Sequence, residues 1–396
     1  MSRLQISHSD DLRSLRDDGY EVAIVAGHLV IAHVPYVTAA REVRYGKLIS
    51  ELTLSGDVTG RPDSHVVHFS GERPCDRDGR PLSKIILGGL LAHPVTSDLV
   101  IDYAFSSRPV PAGRYVDYHE KMTAYIALLG AHAQAIDPGA TARTYQPVPA
   151  EDEQDVLGYL DTASSRAGIS AITGRLAVPQ VAIVGLGGTG SYILDLIAKT
   201  PVRRIHLFDG DRYLQHNAFR SPGAATVEEL RDRPMKVDYL ADRYSAMHRG
   251  IVPHPYHLGK QNAADLDEMT FVFLAIDDGA AKEVIVQRLE VLNIPFADVG
   301  MGVYDVNGSL AGLVRTTVSA GSYAARAAAR SRISFGRGQE DDLYRQDIQV
   351  VELNALNAAL AVIAWKKLMG FYHDLSRERF SAYAIDTNSL VNEDHA

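Results

Sequence analysis

Cysteine is almost absent. Cys75 is the only one in 396 residues, so no disulfide can form within the chain and a zinc site built from paired Cys-x-x-Cys motifs is excluded. Long apolar runs are missing as well. No stretch reaches about 18 consecutive apolar residues, so no transmembrane helix is expected. The opening residues, Met1-Ser2-Arg3-Leu4-Gln5, have none of the apolar core of a secretion signal. There is no excess of basic charge: 40 Lys and Arg against 49 Asp and Glu give a formal charge of −9, which argues against general nucleic-acid binding. Internal repeats and low-complexity tracts are also lacking. What remains is an ordinary globular composition in a chain long enough for two domains. The expectation is a cytoplasmic enzyme or binding protein.

The pattern of residues predicts where those domains lie. Residues 7–18 are polar and read as a short helix. Glu21–Val25 and His28–Val34 are β-rich segments joined by Ala26-Gly27, a hairpin signal. Alternation over 47–54, 65–69 and 99–105 predicts further strands. Residues 71–81 read as a turn-rich loop, and Tyr118 to about Ala135 as a helix with Met122, Tyr125, Ile126 and Leu129 near one face. Residues 1–148 are therefore expected to form a mostly β, α+β domain. Pro147, Pro149 and the acidic run Glu151-Asp152-Glu153 mark its boundary. A linker and a helix over about 155–172 follow, with the linker region spanning 149–176. From 177 to 396, strands near 181–184, 205–209, 251–253, 271–276 and 295–299 alternate with helices near 191–199, 235–247 and 280–291. That order predicts a parallel, doubly wound sheet. A late strand over 308–318, a crossing segment over 319–346, a long helix over 351–369 and a short tail complete the reading.

The chemistry concentrates at Val181-Ala182-Ile183-Val184-Gly185-Leu186-Gly187-Gly188-Thr189-Gly190. A buried strand that turns sharply into a helix start presents backbone N–H groups and a positive dipole end to a phosphate. Glycine lets the backbone approach closely. Taken alone, this stretch suits a nicotinamide cofactor, a nucleoside triphosphate or merely a tight turn. The next strand ends in Asp209-Gly210-Asp211, and Asp209, 24 residues after Gly185, is spaced to bond ribose hydroxyls in either nucleotide class. Asn217 and Arg220 follow at 8 and 11 residues, and then Lys236. One diphosphate needs little of this extra amide and cationic equipment, whereas a triphosphate needs it for its outer phosphates. The strand over 271–276 runs into Asp277-Asp278, where a carboxylate facing a triphosphate suits Mg²⁺. Asp277 is the candidate ligand; Asp278 is expected to face solvent.

In that order, the glycine-rich turn, Leu207-Phe208-Asp209-Gly210-Asp211, Asn217-Ala218-Phe219-Arg220, Lys236 and Asp277 resemble the ThiF/MoeB family, the ubiquitin-activating type of adenylating enzyme, over roughly residues 160–375. The resemblance implies a Rossmann-like α/β adenylation domain. It also implies attack of a ubiquitin-like protein's C-terminal carboxylate on the α-phosphate of ATP, giving an acyl adenylate and pyrophosphate. By position, Gly185, Gly187, Gly188 and Gly190 would line the nucleotide loop, and Asp209 with Asp211 would hold the ribose side. Asn217, Arg220 and Lys236 would bind phosphates and stabilise leaving pyrophosphate, and Asp277 would position Mg²⁺. Lys282 stands where the family often has arginine. Arg166 resembles an arginine that the family lends across a homodimer, although its spacing to Gly185 is short; a surface arginine is the alternative.

The chain departs from the family in lacking a cysteine after the late strand. Three routes for the acyl group stay open: direct transfer from the adenylate, an oxyester on Ser319, Ser322 or Ser331, or a thioester on Cys75. Serine would need a base or positional help. Arg73 beside Cys75 would activate its thiol while Asp76 would oppose this, and a His65, His68, Cys75 metal set is a further option. The segments around His33–Val37, Phe69–Asp76, Phe105–Pro109 and Gly113–Tyr118 resemble an uncharacterised domain fused ahead of ThiF-type domains in bacterial ubiquitin-like conjugation operons. Tyr-, Pro- and Arg-rich turns suit a protein-binding surface, so this domain is expected to recruit the ubiquitin-like protein or a conjugating enzyme; a stability or dimerisation module is the alternative. The reading is an ATP- and Mg²⁺-dependent activating enzyme for a ubiquitin-like protein, expected to form a homodimer through its ThiF-like domain, with adenylation of another carboxylate or of a carbamoyl group on RNA, a non-catalytic scaffold half, and a nicotinamide oxidoreductase as alternatives.

Overall fold

The computed structural model describes residues 2–56, 58–150, 155–336 and 348–392. The acidic boundary run 151–153 and residues 337–346 of the crossing segment lie outside the described residues. The chain divides into two compact units, residues 1–148 with 165–167 and residues 149–164 with 168–396.

The first unit opens with two helices rather than one, α1 (Ser2–His8) and α2 (Asp10–Asp17), because Ser9 between them is extended. Strands β1 (Glu21–Val25) and β2 (His28–Val37) pair antiparallel around Ala26 and Gly27. Both turn residues have positive φ, 47° and 77°, as a two-residue hairpin requires. Then come β3 (Val43–Glu51), β4 (Leu54–Ser55), β5 (Val58–Thr59), β6 (Val66–Ser70), β7 (Ile86–Leu87), β8 (His93–Thr96), β9 (Leu99–Ile101) and β10 (Tyr103–Ser106). The strand expected over 99–105 is thus split at Asp102, whose carboxylate accepts from Gly71 N at 2.8 Å. The main sheet runs β1-β2-β3-β6-β10-β7. Helix α3 (Tyr118–Gln134) is capped by Asp117, which accepts from Glu120 N. Its face of Tyr118, Met122, Tyr125 and Leu129 packs on Leu48, Val67, Phe69 and Phe105, each worth about 1.5–3 kcal/mol of burial.

Residues 155–176 correct one expectation. In place of a helix over 155–172 there are two short ones, α4 (Thr162–Arg166) and α5 (Ser170–Thr173), and a 3₁₀ turn over Gly174–Leu176. The segment before them is extended instead: Gly158 N donates to Met247 O, and Leu157 bridges His248.

The second unit is doubly wound. Its elements are β11 (Gln180–Val184), α6 (Gly188–Ile197), β12 (Arg204–Phe208), α7 (Gln215–Ala218), α8 (Val227–Asp232), α9 (Lys236–Ser245), β13 (Ile251–His254), β14 (Phe271–Leu274), α10 (Gly279–Leu292), β15 (Phe296–Val306), β16 (Ser309–Ser319), α11 (Tyr323–Ser331), α12 (Val351–Leu368), β17 (Phe380–Ala384) and β18 (Ser389–Asn392). The sheet order is β13-β12-β11-β14-β15-β16-β17-β18. From β13 to β15 neighbours are parallel, and from β15 onward they are antiparallel. Side chains of β11 alternate between two cores. Val181 and Ile183 join Ile193, Leu194, Val237, Leu240 and Trp365 on one face. Ala182 and Val184 join Ile285, Val286 and Leu289 on the other. A strand buried on both faces reads as an unbroken apolar run, which is why this one was legible. The crossing segment contains a helix, α11, and the tail contains the β17–β18 hairpin, neither of which the sequence pattern predicts.

Candidate functional site

The parallel strands β11, β12 and β14 all end at one edge of the sheet, and the sequence-predicted residues gather there. At the end of β11, Gly185 has φ +88°, and a Cβ on it would lie 2.4 Å from Ala275 O, just past β14. A Cβ on Gly190 would lie 1.9 Å from Gly185 O, and one on Gly188 would lie 2.2 Å from Asn354 Nδ2. Packing within the fold alone excludes side chains at these three positions. Gly187 differs: a Cβ there would meet nothing within 4 Å. It is the N-cap residue of α6, with no side chain capping the helix. An open approach therefore faces an uncapped helix start, the arrangement that favours an anion.

Thr189 and Asn354 hold this helix start. Thr189 Oγ1 donates to Asn354 Oδ1 at 2.9 Å, and Asn354 Nδ2 donates to Val350 O at 3.1 Å. Sequence reasoning missed Asn354. It stands 165 positions after Thr189 with no local signal to single it out.

Asp209 follows β12 and is 6% exposed. Its Oδ2 accepts from Leu186 N at 2.7 Å and its Oδ1 from Asp211 N at 2.8 Å. One carboxylate thus ties the glycine-rich turn to the end of the next strand. Lys236, itself buried, brings its ammonium to 3.3 Å from Asp209 Oδ2 and 2.7 Å from Asp211 Oδ2. The backbone places it there: Lys236 N donates to Asp211 O and Tyr213 N to Pro234 O, so residues 211–213 and 234–236 run side by side. The hydrogen bond from Lys236, more than any other cause, holds the Asp211 carboxyl below its ordinary pKa. His257 adds to the group, its Nε2 3.5 Å from Asp211 Oδ1. Asp209, Asp211 and His257 present ligand atoms within 4.8 Å of one another, and Lys236 Nζ lies against both carboxylates, one positive charge for two negative ones.

The connection from Asp211 to Lys236 also carries Asn217 and Arg220. Asn217 is buried and folds α7 on itself, its Oδ1 accepting from Leu214 N and its carbonyl from Ser221 Oγ. Arg220 is half-buried. Its Nε is enclosed without a hydrogen-bond partner, and no carboxylate lies within 4.0 Å of its guanidinium among the described residues. A cation with an unpaired buried N–H suits an anionic ligand.

Asp277 is exposed beyond β14. Its neighbour Asp278 caps α10, accepting from Ala280 N and Ala281 N at 3.0 Å. Lys282 is 2.9 Å from buried Asp298, which stands in register with Leu274 at the end of β14 and which Arg315 also approaches at 3.4 Å. It braces β15.

The acyl-transfer candidates fare differently. Cys75 belongs to the first unit and is 1% exposed. Burial first, then Asp76, pushes its thiol pKa up, the opposite of what a nucleophile needs. Ser319 ends β16 rather than lying in a loop, and its Oγ is enclosed without a partner among the described residues. Ser322 caps α11, accepting from Ala325 N, and Ser331 donates to Ala328 O. Each serine is thus either enclosed or engaged. Arg166 is exposed at the end of α4. His65, His68 and Cys75 do not form a metal-ligating group among the described residues; His65 bonds Ser106 Oγ instead.

Comparison with known proteins finds two family matches and several similar solved structures. Residues 10–162 match a domain of unknown function, DUF6791, and residues 169–339 match the ThiF family. No curated protein matches the chain. Among solved structures it is similar to Escherichia coli MccB with MccA-N7isoASN, at 15% identity and TM-score 0.46, covering 58% of this chain and 70% of that one. It is also similar to MccB with ATP, at 14% identity and TM-score 0.44, covering 56% and 65%. E. coli TcdA, tRNA N6-threonylcarbamoyladenosine dehydratase, is similar at 19% identity and TM-score 0.39, covering 52% and 92%. The glycine-rich turn, Asp209, Arg220, Lys236 and Asp277 all fall inside the matched segment, and residues 169–339 of this chain are a ThiF family domain with a Rossmann-like sheet.

Proposed function

We propose that the chain is an ATP-dependent adenylating enzyme and that its substrate is the C-terminal carboxylate of a ubiquitin-like protein. The observation that carries this reading is the charge arrangement at one sheet edge. An uncapped helix start behind Gly187 is accompanied by Lys236 and by Arg220, which has no counter-ion among the described residues. A dinucleotide needs the helix start alone; the added cations suit a triphosphate and its departing pyrophosphate. ATP supplies the activated phosphorus. Gly187 gives it backbone approach, Arg220 and Lys236 give it positive charge, and exposed Asp277 can carry Mg²⁺. For Lys236 to reach a phosphate it must leave Asp211.

With Cys75 enclosed in the other unit and Ser319 buried, this reading has the acyl adenylate pass directly to its acceptor. Assembly as a homodimer through the ThiF domain, a location in the cytoplasm and recruitment of the modifier or a conjugating enzyme by the first unit belong to the same proposal.

The test is ATP–pyrophosphate exchange with a candidate ubiquitin-like protein that ends in a free C-terminal carboxylate. Exchange that depends on that protein's terminal carboxylate is the expected result. No exchange, with Asp277→Ala binding ATP as well as wild type, sinks it.

A further inference from the structure

The first unit contains a cavity of about 180 Å³, lined by Glu51, Thr53, Asp63, Ser64, His68 and Lys121, with Val66. That is well above the ~10–15 Å³ one water needs. It opens where two strands part. β3 and β6 pair through Lys47↔Ser70, Leu48↔Phe69 and Ile49↔His68 and then separate.

Lys121 is the anomaly. It lies on the buried face of α3, where the pattern calls for an apolar residue, and is 2% exposed. Lysine is almost never enclosed to this degree unless paired. Here its Nζ donates to Ser50 Oγ at 2.8 Å, and no carboxylate lies within 4.0 Å among the described residues. Burial draws its pKa down to about 8, and Glu51 pulls it partly back. Glu51 is thus felt by the ammonium without touching it. His68 is the second anomaly. Its Nδ1 is buried with no hydrogen-bond partner, and burial lowers its pKa, so a neutral imidazole lines the cavity. Glu51 and Asp63 are exposed, and Asp63 Oδ2 accepts from Thr53 Oγ1 at 2.8 Å.

A cation within and carboxylates nearer solvent, separated by empty space, are complementary to a ligand carrying both charges. A simple anion would meet Lys121 but also face Glu51 and Asp63. A simple cation would meet the carboxylates but face Lys121. We propose that this cavity binds a small zwitterion of the α-amino-acid class, its carboxylate on Lys121 Nζ and its ammonium toward Glu51 and Asp63. Thr53 and Ser64 supply further polar contacts. The site lies wholly in the first unit and stands whether or not the second unit adenylates.

Isothermal titration of the full chain tests it, with glycine, L-alanine and L-serine against acetate and methylamine as half-ligands. Saturable binding of an amino acid is expected, with either half-ligand weaker by at least about tenfold. Glu51→Gln, at an exposed position, should keep the fold and weaken binding by about tenfold. Lys121→Met should abolish binding while raising the melting temperature, since it removes an unpaired buried charge. No heat from any amino acid up to about 10 mM, acetate binding as tightly as the amino acids, or Glu51→Gln binding like wild type each overturns the proposal.

Discussion

Lys236 Nζ stands 2.7 Å from Asp211 Oδ2, so an exposed carboxylate holds the ammonium that also neutralises buried Asp209. Lys236→Met leaves Asp209 without its countercharge. Breaking a buried pair from one side costs about 3 kcal/mol, at the low end because Asp209 keeps two backbone donors. Urea denaturation should show this loss. The pH dependence has a definite sign. The folded-state pKa of Asp211 is depressed below 3.8, so its contribution is present above the ordinary carboxylate value and disappears as pH falls through the depressed one. The stability gap between wild type and Lys236→Met should therefore narrow on acidification below about pH 4. A gap constant to about pH 2 contradicts the pairing.

The glycines should separate into two kinds. Gly190→Ala drives a methyl against Gly185 O, and overpacking of this sort costs about 1–3 kcal/mol. Gly187→Ala meets nothing and has φ −69°, so its stability should stay within about 0.5 kcal/mol of wild type while nucleotide affinity drops. Thermal melts with and without ATP check both. Equal ATP binding by Gly187→Ala and wild type counts against an approach at that face.

Arg220 should matter to chemistry and not to folding. Arg220→Met removes a guanidinium with an unpaired buried Nε, so stability should hold or rise slightly. Pyrophosphate exchange should fall on the order of a hundredfold, the usual loss when one donor to developing charge is removed. An exchange rate within twofold of wild type refutes its assignment to the phosphates.

Cys75 and Ser319 give a paired test of the acyl route. The native Cys75 thiol should react slowly with a thiol reagent and quickly in denaturant. Ser319→Ala should stabilise the fold by about 1 kcal/mol by removing an unpaired buried hydroxyl, with transfer to the acceptor unchanged. A hydroxylamine-sensitive adduct that vanishes in Cys75→Ala or in Ser319→Ala restores a covalent intermediate.

Much of the second unit was legible because β11 and β14 are largely apolar runs, and β11, β12 and β14 lead into Gly185, Asp209 and Asp277 at the edge where ligands bind in such sheets. The spacing singles out Asp209 and Lys236 as candidates for the ribose and the phosphates, but their bonds to each other are not legible, since no spacing encodes them. The helix expected over 155–172 failed because tertiary pairing overrode the apolar pattern: Gly158 sits so close to Ala246 O that a Cβ would be 2.9 Å away. The β17–β18 hairpin lies in a polar tail and is a strand pair because Phe380–Ala384 finds the free edge of β16. In the first unit the strands followed alternation, while Lys121 hid within a helix face and became visible only because no carboxylate among the described residues pairs with it.

The bond between Thr189 and Asn354 has a consequence for synthesis. A growing chain makes the glycine-rich turn near its midpoint, yet the residue that clamps it arrives only when nine-tenths of the 396 residues have been added. Until α12 docks, Thr189 lacks this partner, and the bond from Leu186 N to Asp209 holds the turn without it.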